Sequence, residues 1–318
     1  MKNTAQEERP KPDGEATVRK PLLNQGSLYA WPMGIWLIIF FVAPLIIILV
    51  YSFLKKDAYG AVLPQFSLKA YADMCNPKYA IIVLRTLKIS IVSTAITIAI
   101  ALPCGYAIAR SRHQTLLLLL VIIPFWTNSL IRIFAWISIL NNDGIINQIL
   151  MRLHITKEHL SLLNNQGAVI LVSVYMYIPY AILPIFTAID RFDFSLLEAA
   201  RDLGASKNQA MVKVLLPGIK SGIISALIFT FIPIFGAYTV PDLVGDMNSY
   251  MLGKLIVDQV QRTNRNLPLA SAFSLVITLV SIVGILWMEL AKKKEAKLKK
   301  SSSKEENYVA VQTAGAVK

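Results

Sequence analysis

Chemistry in this chain has to come from two kinds of place: a polar island with ordered spacing, and polar or aromatic side chains set inside or beside apolar runs. The island is Ser195–Pro217, reading SLLEAARDLGASKNQAMVKVLLP. Ser195, with Glu198 three residues on, has the form of a capping box. In that box the hydroxyl accepts from the amide of Glu198 and the carboxylate accepts from the amide of Ser195. Gly204 suits the left-handed position that closes a helix. Ser206 and Gln209 repeat the capping pattern and open a second helix, and Pro217 marks the start of a new apolar run. The expected product is a helix, a turn and a helix held at a membrane surface. Ala199 and Ala200 would keep one helix face slim enough for another protein to approach closely. Glu198, Arg201 and Asp202 would place charges around its rim.

No catalytic apparatus accompanies the island. A phosphate loop needs G-x-x-x-x-G-K-[ST]; Gly253-Lys254 has no upstream glycine and is followed by Leu255. His113, His154 and His159 are scattered without metal-ligand spacing, so no metal site is expected. Cys75 and Cys104 stand far apart and read as free thiols. The chain is therefore not expected to be an enzyme or to hydrolyse ATP. No Asp or Glu falls in the centre of an apolar run. That absence argues against an ion-driven carrier, which often has intramembrane carboxylates.

The elements that position these residues are membrane spans. Of 318 residues, 55% are hydrophobic and 16% charged, against about 25% charged in a soluble domain. Residues 1–30 are polar and read as a disordered tail. The first apolar run, 31–54, is long enough to cross roughly 30 Å of hydrocarbon and reads as an uncleaved span. Trp31 and Trp36 near one end and Tyr51 near the other suit the interfaces. Residues 55–80 form a polar loop with a short helix over 67–74. Further spans are expected at 81–109, 116–140, 168–189, 218–240 and 269–290. Pro103, Gly105, Pro179, Pro184, Pro233 and Gly236 are expected to bend them. Asn128 and Arg132 fall in mid-span and need partners or water. A small amphipathic helix is expected over 145–153, and residues 291–318 form a basic, disordered tail.

The net charge of +13 raises nucleic acid as a partner, but the basic residues sit in tails and loops. The amino-terminal tail carries five, the 110–115 turn two, residues 190–221 around the island five and the carboxyl-terminal tail eight. The opposite loops carry four, two and three. This bias puts both termini and the island in the cytoplasm and leaves no case for nucleic acid.

Glu198-Ala199-Ala200, three residues, Gly204, nine residues, then Val214-x-Leu216-Pro217 resembles the EAA loop of ABC importer permeases; isoleucine is usual where Val214 stands. PFWTNSLIR (124–132), LLEAARDLGAS, VPDLVGD (240–246), MLGKLI (251–256) and NRNLP (264–268) are similar to the permease subunits of spermidine/putrescine importers, over residues 31–290. Arg85 departs from that pattern, where many relatives carry an uncharged polar residue. The resemblance implies an all-α membrane protein with the type I ABC importer permease fold. It would have six transmembrane helices and both termini cytoplasmic, in a bacterial inner membrane. It also implies an ATPase dimer that binds ATP and Mg and engages the coupling loop 195–217 at Glu198, Ala199, Ala200, Arg201, Asp202 and Gly204. A second related permease and an extracytoplasmic polyamine-binding protein would complete the complex, and this chain would bind no cofactor itself.

For a polyamine, the path without span carboxylates would use aromatic faces, at about 0.5–2 kcal/mol per cation–π contact. Trp126, Tyr175, Tyr177, Tyr180 and Tyr238 are candidates, with Asp242 at the outer mouth, although a plain loop carboxylate also fits Asp242. Asn128 and Arg132 are candidates for a gate or subunit interface, with Arg132 paired to a carbonyl or a partner's carboxylate or satisfied within its own bundle. An importer for another solute, and an ATP-independent carrier or channel, remain the alternative readings.

Overall fold

The computed structural model describes residues 25–57, 59–261 and 265–290. The two tails lie outside the described residues, except that helix already begins at Gln25 rather than after residue 30. The chain divides into two units between Ile47 and Ile48. The first holds α1 (Gln25–Leu37), a π turn over Ile38–Val42 and the start of α2 (Ala43–Ser52).

In the second unit, the expected loop after the first span contains a hairpin. Strand β1 (Leu54–Lys56) pairs antiparallel with β2 (Val62–Phe66), with a bulge between Leu54 and Lys55. Leu54 thus belongs to the hairpin and not to the span. Phe53 stacks on Phe66 and leans on Tyr71 of α3 (Lys69–Met74), whose hydroxyl donates to Ser52 Oγ at 2.8 Å. Short strands with lysines and a proline carry no period-2 signal strong enough to read.

Helix α4 (Pro77–Ala109) starts four residues before the expected span. Asn76 caps it by accepting from Lys78 N, and Pro77 takes the first helical position, where its missing N–H costs nothing. It runs unbroken through Pro103. Helix α5 (Gln114–Ile122) tightens into a 3₁₀ turn, Ile123–Trp126, and α6 (Ser129–Leu140) leaves at 90°. The expected third span is therefore broken. Pro124 sits in the tight turn, Thr127 is extended, and Asn128 Oδ1 accepts from Leu130 N at 2.8 Å to start a new helix. Asn128 is a cap and Arg132 lies in the first turns of α6; neither is mid-helix.

Helix α7 (Ile145–Arg152) leads to α8 (Gln166–Asp190), which runs unbroken through Pro179 and Pro184. The island follows as α9 (Ser195–Asp202) and α10 (Lys207–Ala210), with a π turn over Met211–Leu215 and α11 (Leu216–Gly218). Pro217 lies inside this second arm. A 70° bend at Ile219 then starts α12 (Lys220–Phe235), shorter at both ends than the expected 218–240. Helices α13 (Thr239–Leu243) and α14 (Leu252–Gln261) follow, and α15 spans Leu267–Leu290.

Among the described residues, four helices are long and apolar enough to cross a membrane, or up to six if each bent pair counts as one span. Helix α8 packs between α4 and α12. Small residues bring the backbones together, as expected where lipid supplies no hydrophobic drive between helices. A Cβ on Gly105 would meet Ile185 Cγ2 at 2.9 Å, and one on Gly222 would meet Ala188 Cβ at 2.3 Å.

Candidate functional site

The island is built from local hydrogen bonds. Its first cap differs from the expected Ser195–Glu198 box. Asp193 Oδ1 accepts from Ser195 N at 3.0 Å, Phe194 is already helical, and Glu198 N donates to Phe194 O. An aspartate two residues upstream closes the turn first, so Ser195 falls inside the helix and cannot cap it. The Ser195 hydroxyl and amide hold the Asp193 carboxyl below the usual aspartate range. The closing turn is as expected. Gly204 has φ +89°, its amide donates to Arg201 O, and Ala205 N donates to Ala200 O at 3.0 Å. These are the two bonds of a Schellman motif. A Cβ on Gly204 would touch nothing, so the backbone angle alone asks for glycine. Ser206 and Gln209 form the expected reciprocal box at 3.3 and 3.0 Å.

Tertiary packing decides which island face is free. Leu197, Ala210, Leu215 and Ile219 are buried in one cluster with Ile108, Ala109, Ile185 and Ile189 at the ends of α4 and α8. Phe194 fixes the entry: Phe192 and Tyr106 meet it edge-on, and the Arg110 guanidinium lies 4.8 Å over its ring. Between them a pocket is lined by Tyr106, Arg110, Phe194, Glu198 and Arg201.

The two alanines separate. Ala200 is half-buried against the core, while Ala199 is exposed. Leu196 and Leu203, three back and four on from Ala199, are exposed with it, Leu203 to 89%. Sequence reasoning missed these leucines. Their spacing was visible, but on so short a helix two apolar stripes coexist, and only packing says which one is free. Glu198, Arg201 and Asp202 are exposed and make no ion pair among the described residues.

The candidate path residues do not form one group. Tyr175 of α8 packs between Phe125 and Trp136, at 5.7 and 5.4 Å. Tyr177 and Tyr180 pair with each other at 5.9 Å, with Tyr180 exposed. Trp126 is 78% exposed at the break between α5 and α6. Arg132 lays its guanidinium 4.5 Å over Phe125, while its Nε and Nη1 are buried with no hydrogen-bond partner. Neither nitrogen finds a carbonyl among the described residues.

Tyr238 and Asp242 lie at the end of α12 away from the island. Pro241 is inside α13 and does not end it, and Asp242 N donates to Tyr238 O. Asp242 is ion-paired with Lys254 Nζ at 3.0 Å. Neither expected reading of Asp242, a carboxylate at the outer mouth or a plain loop carboxylate, included this ion pair. The pairing was hidden because eleven residues and a turn separate the partners. The α13–α14 module is tied down in two places the sequence did not suggest. Leu252 N donates to Thr86 Oγ1 at 2.9 Å, and Arg85 Nη1 donates to Met247 O at 3.0 Å. The second bond gives the unusual Arg85 a structural partner.

Comparison with known proteins adds the lineage. Residues 98–296 match the family described as binding-protein-dependent transport system inner membrane component. The chain is 36% identical over 247 residues to the spermidine/putrescine transport system permease protein PotB of Haemophilus influenzae, covering 77% of this chain and 86% of that one. It is 34% identical over 248 residues to PotB of Escherichia coli, covering 77% and 90%. Among solved structures, a bacterial ABC transporter involved in import of the acidic polysaccharide alginate superposes with a TM-score of 0.68 at 17% identity, over 85% of this chain and 96% of that one. At that identity the likeness speaks for the fold alone. With several apolar helices and a family match over most of its length, this chain belongs to the multi-pass inner membrane components of bacterial binding-protein-dependent transport systems.

Proposed function

We propose that the chain is the membrane-spanning permease subunit of an ATP-driven polyamine importer. The observation that carries this is identity above one third to spermidine/putrescine permeases over most of both chains. The island gives the reading its physics. An apolar stripe of Leu196, Ala199 and Leu203, rimmed by the unpaired Glu198, Arg201 and Asp202, suits a short helix seated in a groove of another protein.

In this reading each bent helix pair is one span, which gives six, and the basic bias puts both termini and the island in the cytoplasm. A partner ATPase dimer carries ATP and Mg and engages α9 through Glu198, Ala199, Ala200, Arg201, Asp202 and Gly204. A second, related permease completes the pore and supplies the acceptor that Arg132 lacks. An extracytoplasmic binding protein delivers the polyamine at the far end. Closure of the ATPase dimer moves α9 and biases the spans between two states, which is coupling between distant sites. Trp126, Tyr180 and Tyr238 remain the exposed aromatic faces that a cation would pass.

The test is uptake of labelled spermidine by the reconstituted complex, with a ligand panel on the cognate binding protein. Preference of that protein for anions, or transport by the purified chain alone in vesicles, would overturn the reading.

A further inference from the structure

The far end holds three carboxylates in different states. Asp246 accepts from Ser249 Oγ at 2.5 Å and from Asn248 Nδ2 at 3.1 Å, and the serine bond leads in holding its carboxyl below the usual range. Asp258 accepts from the Tyr250 hydroxyl. The partners named for each lie on the same stretch of chain. Asp242 instead faces an ammonium from another helix. Lys254 Nζ lies 3.0 Å from its Oδ1 and 5.7 Å from the centroid of the Tyr250 ring.

A carboxylate beside an aromatic face is the chemistry that recognises a primary ammonium. Lys254 brings that ammonium on four methylenes, the same aminobutyl end that putrescine and spermidine present. It does so from the third residue of α14, in the first turn, where the helix dipole disfavours a cation. Asp242 and Tyr250, rather than α14, hold the charge there. The side chains are 51% exposed for Asp242 and 21% for Lys254. A pair this open is weak and exchanges readily.

We propose that Lys254 is a tethered stand-in for the transported cation: its aminobutyl group occupies the Asp242–Tyr250 site between transport events and must leave before a polyamine end can enter. This rests on the polyamine reading above. An incoming polyamine wins the exchange because it brings a second ammonium that the lysine lacks. The lysine therefore sets a threshold, and amines of higher charge pass it more easily.

The experiment measures initial uptake of spermidine and of putrescine by the complete complex in vesicles, each at a saturating level for the binding protein. The readout is the putrescine-to-spermidine rate ratio, which a reduced amount of assembled complex does not change. Lys254→Gln should raise the ratio by about two- to fivefold, the size of an open ion pair. Lys254→Arg, which keeps the pair, should retain the wild-type ratio, and in an Asp242→Asn background Lys254→Gln should have no effect on it. An unchanged ratio in Lys254→Gln, or the same rise with Asp242→Asn present, overturns the proposal alone. A wild-type complex that moves neither amine overturns the polyamine reading and this proposal with it.

Discussion

The chain builds a short-helix pair at each end of α12, and the two pairs treat their polar and apolar groups in opposite ways. At the island, the backbone is satisfied by its own caps, while the side chains face outward: three charges without ion partners among the described residues and Leu203 in the open. At the far end, α13 and α14 are tied into the bundle through Thr86 and Arg85, and the charges are matched within the chain. One region leaves its outward groups unmatched among the described residues. The other has its carboxylates matched by groups of the same chain. An exposed leucine among unpaired charges is informative because neither feature stabilises the isolated chain.

The largest effect should come from the scaffold the two regions share. Gly222→Val forces a Cβ into Ala188 and Pro184. Overpacking costs about 1–3 kcal/mol, and more where backbone is in the way. Most folded permease should be lost on size-exclusion in mild detergent; a normal peak would show that the α8–α12 contact does not hold the two ends in place.

Next, Leu203→Asp should leave that elution profile unchanged, because the side chain contacts little within the chain. It should weaken coupling of ATP hydrolysis to uptake by about 2 kcal/mol, the scale of an interface anchor. Equal uptake per ATP in variant and wild type would remove the island's claim to be a docking surface. Gly204→Val should cost about 1–2 kcal/mol of backbone strain in the turn. It should lower uptake about tenfold with the bundle intact, and loss of bundle stability instead would mean the island is as integrated as the far end.

At the far end, Thr86→Val keeps the shape but strands the buried Leu252 amide, at about 1 kcal/mol. Thermal stability should fall with no change in ATP coupling. Smallest is the pH response of the island's first turn. The carboxyl of Asp193 is lowered in the folded chain, so its support for α9 is present above the ordinary aspartate value and is lost as pH falls through the lowered one. Amide exchange at Ser195 should accelerate only in that acid range, and Asp193→Ala should remove the dependence.

Much of this was legible in the chain itself. Apolar runs marked where the long helices would lie, and the positions of most of them followed to within a few residues. Gly204 and the Ser206–Gln209 box were readable because their bonds close within three to six residues. The failures are of two kinds. Where two local signals competed, the sequence could not rank them: Asp193 took the cap from Ser195, and Pro124 with Asn128 broke the third span instead of lying within it. Where partners are distant along the chain, no spacing rule connects them.

The sequence by itself determined that this is a membrane protein with a capped helical island between spans, because hydropathy and local hydrogen bonding act over a few residues. Only the tertiary structure decided that Ala200 turns inward while Leu203 stays free, that Asp242 already holds a lysine, and that Thr86 receives the amide of Leu252. Those outcomes depend on which surfaces the folded bundle brings within a few ångströms, and burial and pairing are properties of that proximity.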